Sequence, residues 1–381
     1  MRLLFVTQDF PPDVGGIQTY SWELAPRLAQ RCEQFHLLAP SRPGDEEIDA
    51  SVDFSVHRLP VRPDLLVLRA TPYIFRLTRR ESFDAAFHVQ WQTAFASLLA
   101  RRLTGTPARL AVTLHGKDTV FNPFTVFPLR QAYNVLRRTA VTAADHVLPV
   151  SQFLSHRARE FGASPDRITV IPNATNPDVF YPDPSPSLRA DLNADSRPIV
   201  LSAGRMVPKK GFDTAIRALR RVTEEIPDAL LLIAGDGPEA ASLKQLVHDL
   251  NLEENVHFLG NLSQQQLRRY YSLADVFMMV GREVPGDIEG FGLVYLEANA
   301  CGTPTIGARV GGVPDAIQDG ETGLLVPPED PTAAAGALTR LLNNPDRAQR
   351  LGKQGRERVL SDANWERVAD RIYHLLRRGA G

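Results

Sequence analysis

Apolar runs of four to seven residues alternate along this chain with stretches in which apolar residues recur every three or four positions. In the first half the runs are 2-RLLFVT-7, 35-FHLLA-39, 85-AAFHV-89, 109-RLAVTL-114, 146-HVLPV-150 and 168-ITVIP-172. In the second half they are 198-PIVLSAG-204, 229-ALLLIAG-235, 256-VHFLG-260, 275-DVFMMV-280, 304-PTIG-307 and 323-GLLV-326. Runs this short and this uniformly apolar read as strands buried on both faces. Helical period appears at 17–31 and 91–103, then near 213–226, 238–251, 264–273, 293–301, 313–318 and 331–344, with a last amphipathic stretch at 364–378. Strands alternating with helices predict an α/β protein whose parallel sheets carry helices on both faces.

The alternation breaks once. Residues 176–198 are rich in proline, aspartate and serine without a sustained apolar period, the composition of a linker. At 381 residues the chain is long for a single core, and the linker divides it into two doubly wound, Rossmann-like domains. The expected boundaries are 1–182 and 183–363, with a C-terminal helix at 364–381 packing back on the first domain. In open parallel sheets ligands bind beyond the carboxyl ends of the strands, so two such domains facing across a cleft would line it with those loops.

Composition narrows the chemistry. With 43% hydrophobic and 23% charged residues and a net charge of −1, nucleic acid is not an expected bulk partner. Lysine occurs only at 117, 209, 210, 244 and 353, which makes each one informative. The two cysteines, Cys32 and Cys301, fit neither a metal-ligand spacing nor a disulfide framework, and a reducing, cytoplasmic setting is expected. No run of 18 apolar residues predicts a spanning helix.

The loops after the strands carry the candidate groups. The first is 9-DFPPDVGGIQTYSWELA-25, where Gly15 and Gly16 precede a helix whose bare amides suit an anion; a plain strand-to-helix turn is the other reading. His115, in 115-HGKD-118, stands at a strand end and can donate to a ligand oxygen, or merely cap a neighbouring element. In 204-GRMVPKKGFD-213, Arg205, Lys209 and Lys210 form a cationic cluster that suits a diphosphate, although such clusters are often solvated loops. The glycine-bearing turn 234-AGDGPE-239, with a proline at the start of a helix, more often shapes a turn than binds a ligand, whereas the loop after 257-HFLG, which begins the helix at 264, could present backbone groups to a planar base. Finally 289-EGFGLVYLEANACGTP-304 holds Glu289 and Glu297 eight residues apart. The glycines at 290 and 292 disfavour helix there, so Glu289 is expected in a loop and Glu297 on the helix that follows. Carboxylates accept two hydrogen bonds at once and suit the hydroxyls of a ribose and a hexose; the alternatives are a surface acid and a charge stabilised by a helix N-terminus. The preceding 280-VGREVPGDI-288 is a polar, glycine-bearing insertion expected to be mobile.

Taken in order, these motifs resemble the retaining glycosyltransferases of family four, which have the GT-B fold, over nearly the whole chain. The branch most similar in look is that of bacterial phosphatidylinositol mannosyltransferases. The resemblance implies a donor diphosphate touched by the Gly16 amide and neutralised by Arg205 and Lys210, with Lys209 outside that pair. It implies Glu297 on the ribose and Glu289 on the donor sugar. Backbone contacts come from Gly290, Phe291 and Gly292, Leu262 contacts the base, and His115 stands near the reaction centre. One departure is Pro172-Asn173-Ala174, where many members have a glycine third. Another is the loop 261-NLSQQQ-266, which has no charged side chain to read the base.

The implied reaction moves a hexose, GDP-mannose being the favoured donor, onto a lipid-linked or saccharide acceptor, with UDP-sugars as the alternative. A retaining glycosidase would need its two carboxyls about 5 Å apart across the bond, which a loop acid and a helix acid do not suit. The better reading is attack on the face from which the diphosphate leaves. No Asp-x-Asp occurs, so the basic pair rather than a metal is expected to serve the diphosphate, and no cofactor is expected. A nicotinamide oxidoreductase would need GxGxxG after a strand, and the chain has none. An epimerase of the same fold lacks this spacing of motifs, and a non-catalytic sensor would have lost Glu289 or the basic pair. Residues 62–80 and 125–138 are apolar with arginines; they read either as faces resting on an anionic membrane or as core helices with a solvated basic edge.

Overall fold

The computed structural model describes residues 1–183, 185–194 and 196–378. Pro184 and Asp195 of the expected linker, and residues 379–381 of the expected C-terminal helix, lie outside the described residues. The chain separates into two compact units, residues 1–173 with 365–381, and residues 174–364. The first boundary thus falls earlier than the expected 182/183, because Thr175 pairs with Asn364 and belongs to the second unit.

The first unit has six parallel strands: β1 (Arg2–Val6), β2 (Gln34–Pro40), β3 (Ser55–Leu59), β4 (Ala85–His88), β5 (Arg109–Leu114) and β6 (His146–Pro149), in the order 3-2-1-4-5-6. Leu3, Leu4, Phe5 and Val6 of β1 are wholly buried between helical layers, as a central strand's side chains must be. Two expectations fail at the edges. The run 168–172 is not a strand; one bridge, Val147 to Ile168, joins it to β6, and Pro149 and Pro172 lack the amides a longer ladder needs. Strand β3 has no apolar run to announce it, because four of its five residues are exposed or half-exposed at the other edge.

The second unit repeats the topology. Its strands are β7 (Ile199–Ala203), β8 (Leu230–Ala234), β9 (Val256–Gly260), β10 (Val276–Met279), β11 (Thr305–Ala308) and β12 (Gly323–Val326), in the order 12-11-10-7-8-9. Read from β9, this is the same 3-2-1-4-5-6 arrangement. The strand order therefore reverses between β1 and β4 in one unit and between β7 and β10 in the other, and the crevice beyond such a reversal is where α/β sheets bind ligands.

Helices Gly16–Arg31 and Trp365–Arg377 pack together on the first unit. Tyr20, Leu24 and Leu28 of one and Trp365, Val368, Ile372 and Leu376 of the other are buried, and Arg31 bonds Glu366 and Asp370 at 2.7 and 2.8 Å. Five helices escaped the sequence reading: Asp45–Ala50, Lys117–Val120, Gln152–Glu160, Pro186–Asp191 inside the linker, and Pro345–Ser361. The last is so polar that its buried residues include two glycines.

Candidate active site

The loops beyond β7 and β10 are drawn together at their reversal point. A 3-10 turn, Pro208–Lys210, follows β7, and Gly211 closes it at φ 68 before the helix Phe212–Val222. A side chain at Gly211 would collide with the Val280 carbonyl, its Cβ falling 2.0 Å away. That close approach sets Lys210 Nζ 2.6 Å from Glu289 Oε2 and Lys209 Nζ 2.9 Å from Asp287 Oδ1. Both lysines are thus engaged with carboxylates of the loop that follows β10. The segment 280–288, expected to be mobile, is tied down. Arg282 bonds Asp213 and Thr214, its amide donates to the Lys209 carbonyl, and Val284 bridges Asp287.

Glu289 does lie in a loop and Glu297 on the helix Leu293–Ala300. Glu289, its side chain 16% exposed, is not the surface acid that was its alternative. Burial presses Glu289 toward its neutral form, but Lys210, Lys209 and the Phe291 amide outweigh it, and the carboxyl is held below its ordinary range. Glu297 has the opposite balance. Burial raises its pKa to about 7, against the Tyr271 hydroxyl, which donates to it at 2.9 Å, and the more distant pull of Lys210. One cation therefore acts on both carboxylates. Between them Gly290, Phe291 and Gly292 are buried, Phe291 by filling the core with its ring. Gly292, at φ 97, begins the helix where a side chain would strike the Tyr295 ring.

Arg205 and Leu262 border a cavity of about 450 Å³ beyond β7, β8 and β9, floored by Gly204, Gly235 and Gly237. Arg205 is exposed at its rim. Glycine backbone on the floor and a guanidinium at the edge form a slot for a flat, anionic ligand.

Gly16 and His115 belong to the first unit. Gly16 is the first residue of its helix; no side chain caps that end and no acid stands in the first turn, so the leading amides remain open to an anion. His115 follows β5, with its ring edge-on to Tyr20 at 4.5 Å. Burial lowers its pKa to about 3, so the imidazole is neutral. The ring donates to the Val89 carbonyl, and Nε2 is a buried atom without a partner. With the donor proton spent on Val89, Nε2 is an acceptor. This corrects the expected donation to a ligand oxygen: a ligand hydroxyl would donate to His115.

Several groups at these strand ends were not singled out from the sequence. At the reversal point of the first sheet, Asp9 accepts from Gln18 at 2.7 Å and from Gln90 at 2.6 Å, and burial raises its pKa. Asp118 takes the His115 and Gly116 amides on one oxygen at 3.0 and 2.9 Å, fixing the loop that carries the imidazole. Tyr271 partners Glu297 from another helix. The position of Asp9 after the first strand was the available signal; Tyr271 had none. Among the described residues no group of three or more His, Cys, Asp or Glu side chains could hold a metal ion, and no helix is long and apolar enough to cross a membrane.

A doubly wound sheet in each unit, with a carboxylate–lysine pair and an arginine-rimmed slot at the carboxyl ends of one of them, defines the GT-B class of glycosyltransferases. Residues 14–179 match the family described as Glycosyltransferase Family 4, and residues 185–358 the one described as Glycosyl transferases group 1. A GDP-mannose-dependent alpha-(1-6)-phosphatidylinositol monomannoside mannosyltransferase of Mycobacterium tuberculosis is 34% identical, covering 99% of this chain and 98% of its own. The N-acetyl-alpha-D-glucosaminyl L-malate synthase of Bacillus anthracis is 29% identical, over 96% of each chain. Among solved structures, the sucrose-phosphate synthase of Thermosynechococcus elongatus is similar with a TM-score of 0.79 and 27% identity, over 99% of each chain. The chain belongs to glycosyltransferase family four. Its relatives include mannosyltransferases and enzymes named for other sugars.

Proposed function

We propose that this protein is a retaining hexosyltransferase that takes mannose from GDP-mannose and passes it to a lipid-linked or saccharide acceptor on the cytoplasmic side of a membrane. The observation that carries the reading is the Lys210–Glu289 pair at the reversal point of the second sheet, in a chain whose full-length similarity is to GDP-mannose-dependent enzymes. In this proposal Arg205 and Lys210 neutralise the diphosphate as it leaves, where charge stabilisation has its largest effect. Glu289, ionised, accepts hydrogen bonds from the sugar, and Glu297 from the ribose. Gly290, Phe291 and Gly292 supply backbone contacts, Leu262 meets the base, and the leading amides of the helix at Gly16 touch the phosphates. His115 Nε2 accepts from a sugar hydroxyl. No side chain acts as nucleophile; the acceptor attacks the face the diphosphate leaves and gives its proton to a phosphate oxygen. The lysine and arginine take the place a metal ion would hold, so transfer proceeds without one.

The test is thermal stabilisation by GDP-, UDP-, ADP- and dTDP-sugars with a chelator present. A shift confined to GDP-mannose supports the proposal. A shift with UDP-sugars moves the enzyme to another branch, a reading favoured by the uncharged loop 261–266 and by relatives named for other sugars. No shift with any of them overturns both.

A further inference from the structure

The first and last helices of the chain meet behind the loop that carries His115. Tyr20 stands one turn into the helix Gly16–Arg31, after the open amides of its first turn. Its ring makes two edge-to-face contacts. One is with the His115 imidazole, centroids 4.5 Å apart and planes at 78°; the other is with the Trp365 indole, 5.6 Å apart and at 81°. Tyr20 and Trp365 are both buried. The three rings form a continuous row from the start of the last helix to the imidazole at the end of β5.

The outer members of the row are well anchored. Ser21, next to Tyr20, pairs with Thr7 beyond β1 at 3.0 Å, both hydroxyls buried, which ties the helix to the sheet. The Tyr20 hydroxyl lies 3.5 Å from that of Thr113 on β5. Glu366, beside Trp365, bonds Arg27 at 2.8 Å and Arg31 at 2.7 Å, and Asp370 bonds Arg31 at 2.8 Å, holding the last helix in register on the first. The imidazole has less to hold it. It donates to the Val89 carbonyl, and Nε2 has no partner. One hydrogen bond leaves the ring orientation loose, because the terminal torsion of histidine is broad. Edge-to-face contact restrains it, since tilting the imidazole away from the Tyr20 ring loses a favoured aromatic arrangement.

We propose that Tyr20 is a positioning residue for His115 and that Trp365 holds Tyr20 in place, so that the far end of the chain completes the first unit's part of the site. Neither ring touches the reacting atoms. Tyr20 aims Nε2 and excludes water from the imidazole, and that dryness keeps the imidazole neutral. A leucine there would occupy much of the same space without an aromatic face. The catalytic use of His115 rests on the proposed function; its restraint by Tyr20 does not.

The experiment is nitrogen NMR of the histidine rings in the isotope-labelled full chain, from about pH 5 to about pH 8, with His115→Gln to assign the signal. In the wild type we expect a neutral ring throughout, in the single tautomer protonated at Nδ1. In Tyr20→Leu water reaches the ring, its pKa rises toward the ordinary value, and it takes up a proton as pH falls through that range. Asp118, whose carboxylate accepts the His115 amide and is raised to about 6 by burial, is present in every variant, so the comparison isolates the ring. Tyr20→Phe should restore the wild-type signal. Trp365→Met, which refills the core with an adaptable side chain, should reproduce the Tyr20→Leu titration. Should Tyr20→Leu melt below the assay temperature, Tyr20→Met reads the same titration. In steady-state transfer at saturating donor, Tyr20→Leu should lower kcat roughly 10²-fold, the scale of a small misplacement, with the donor KM little changed. Added to His115→Ala, it should lower kcat little further, because a residue acting through His115 then has nothing to act on. The inference is overturned if the Tyr20 variants leave the titration and tautomer of His115 unchanged, or if the losses from Tyr20→Leu and His115→Ala simply multiply. A shifted titration in a protein that no sugar donor stabilises would remove the proposed reaction and leave the restraint standing. An unchanged titration with donor binding intact would do the reverse.

Discussion

At the scale of single residues, the two glutamates of the EGFGLVYLE segment differ more than their shared chemistry suggests. Glu289 is held ionised by Lys210, whereas Glu297, buried against Tyr271, titrates at about 7. A carboxylate accepts from ribose hydroxyls better than a carboxylic acid does, so donor affinity should rise between pH 6 and 8. Isothermal titration across that range, on the wild type and on Glu297→Gln, should find the slope in the first and its loss in the second. The same shift has a stability cost of definite sign. Between its ordinary value and about 7 the folded protein holds a proton that the unfolded chain has released, so this group weakens the fold as pH rises through that window. Lys210→Ala should lower transfer by about 10²-fold or more, while circular dichroism stays native because Glu289 can take up a proton in place of its lost partner. The two thiols should be inert. Burial raises Cys32 to about 11 and Cys301 to about 12, and maleimide at neutral pH should leave activity intact.

Elements explain why those residues meet. Gly211 allows the turn after β7 to touch the strand end after β10, and its positive φ and the Val280 carbonyl leave no room for a side chain. Gly211→Ala should therefore cost at least as much activity as removing Lys210, with a lowered melting temperature that Lys210→Ala does not show. At this scale the sequence was legible where apolar period was strong. Eleven of the twelve expected runs became strands, because central strands must be apolar on both faces. Edge strand β3, and the helix Pro345–Ser361 with little apolar surface to bury, had no such signal. The motif loops were legible too, since glycine, proline and clustered charge mark strand ends.

For the molecule as a whole, one topology occurs twice, but the units are not equally self-sufficient. The second is continuous in sequence from 174 to 364, whereas the first includes the helix Trp365–Arg377 from beyond it. Trp365, Val368, Ile372 and Leu376 are buried there. At about 1.5–3 kcal/mol for each such side chain, removing the helix forfeits an amount comparable to the whole stability of a typical domain. A fragment 174–364 should unfold cooperatively and retain donor-induced stabilisation. A chain ended at 364 should keep that transition and lose the cooperative melting of the first unit, as calorimetry would show.

The amino-acid sequence by itself determined the fold class, the doubling of a parallel sheet and the loops that carry the chemistry, because burial on two faces and turn formation are local demands on residue type. The tertiary structure alone decided how those groups are poised. The pairing of Lys210 with Glu289, the shift of Glu297 and the acceptor state of His115 depend on what packs around each group. Desolvation and through-space charge come from residues distant in the chain, such as Tyr271 and Val89, which no local pattern brings forward.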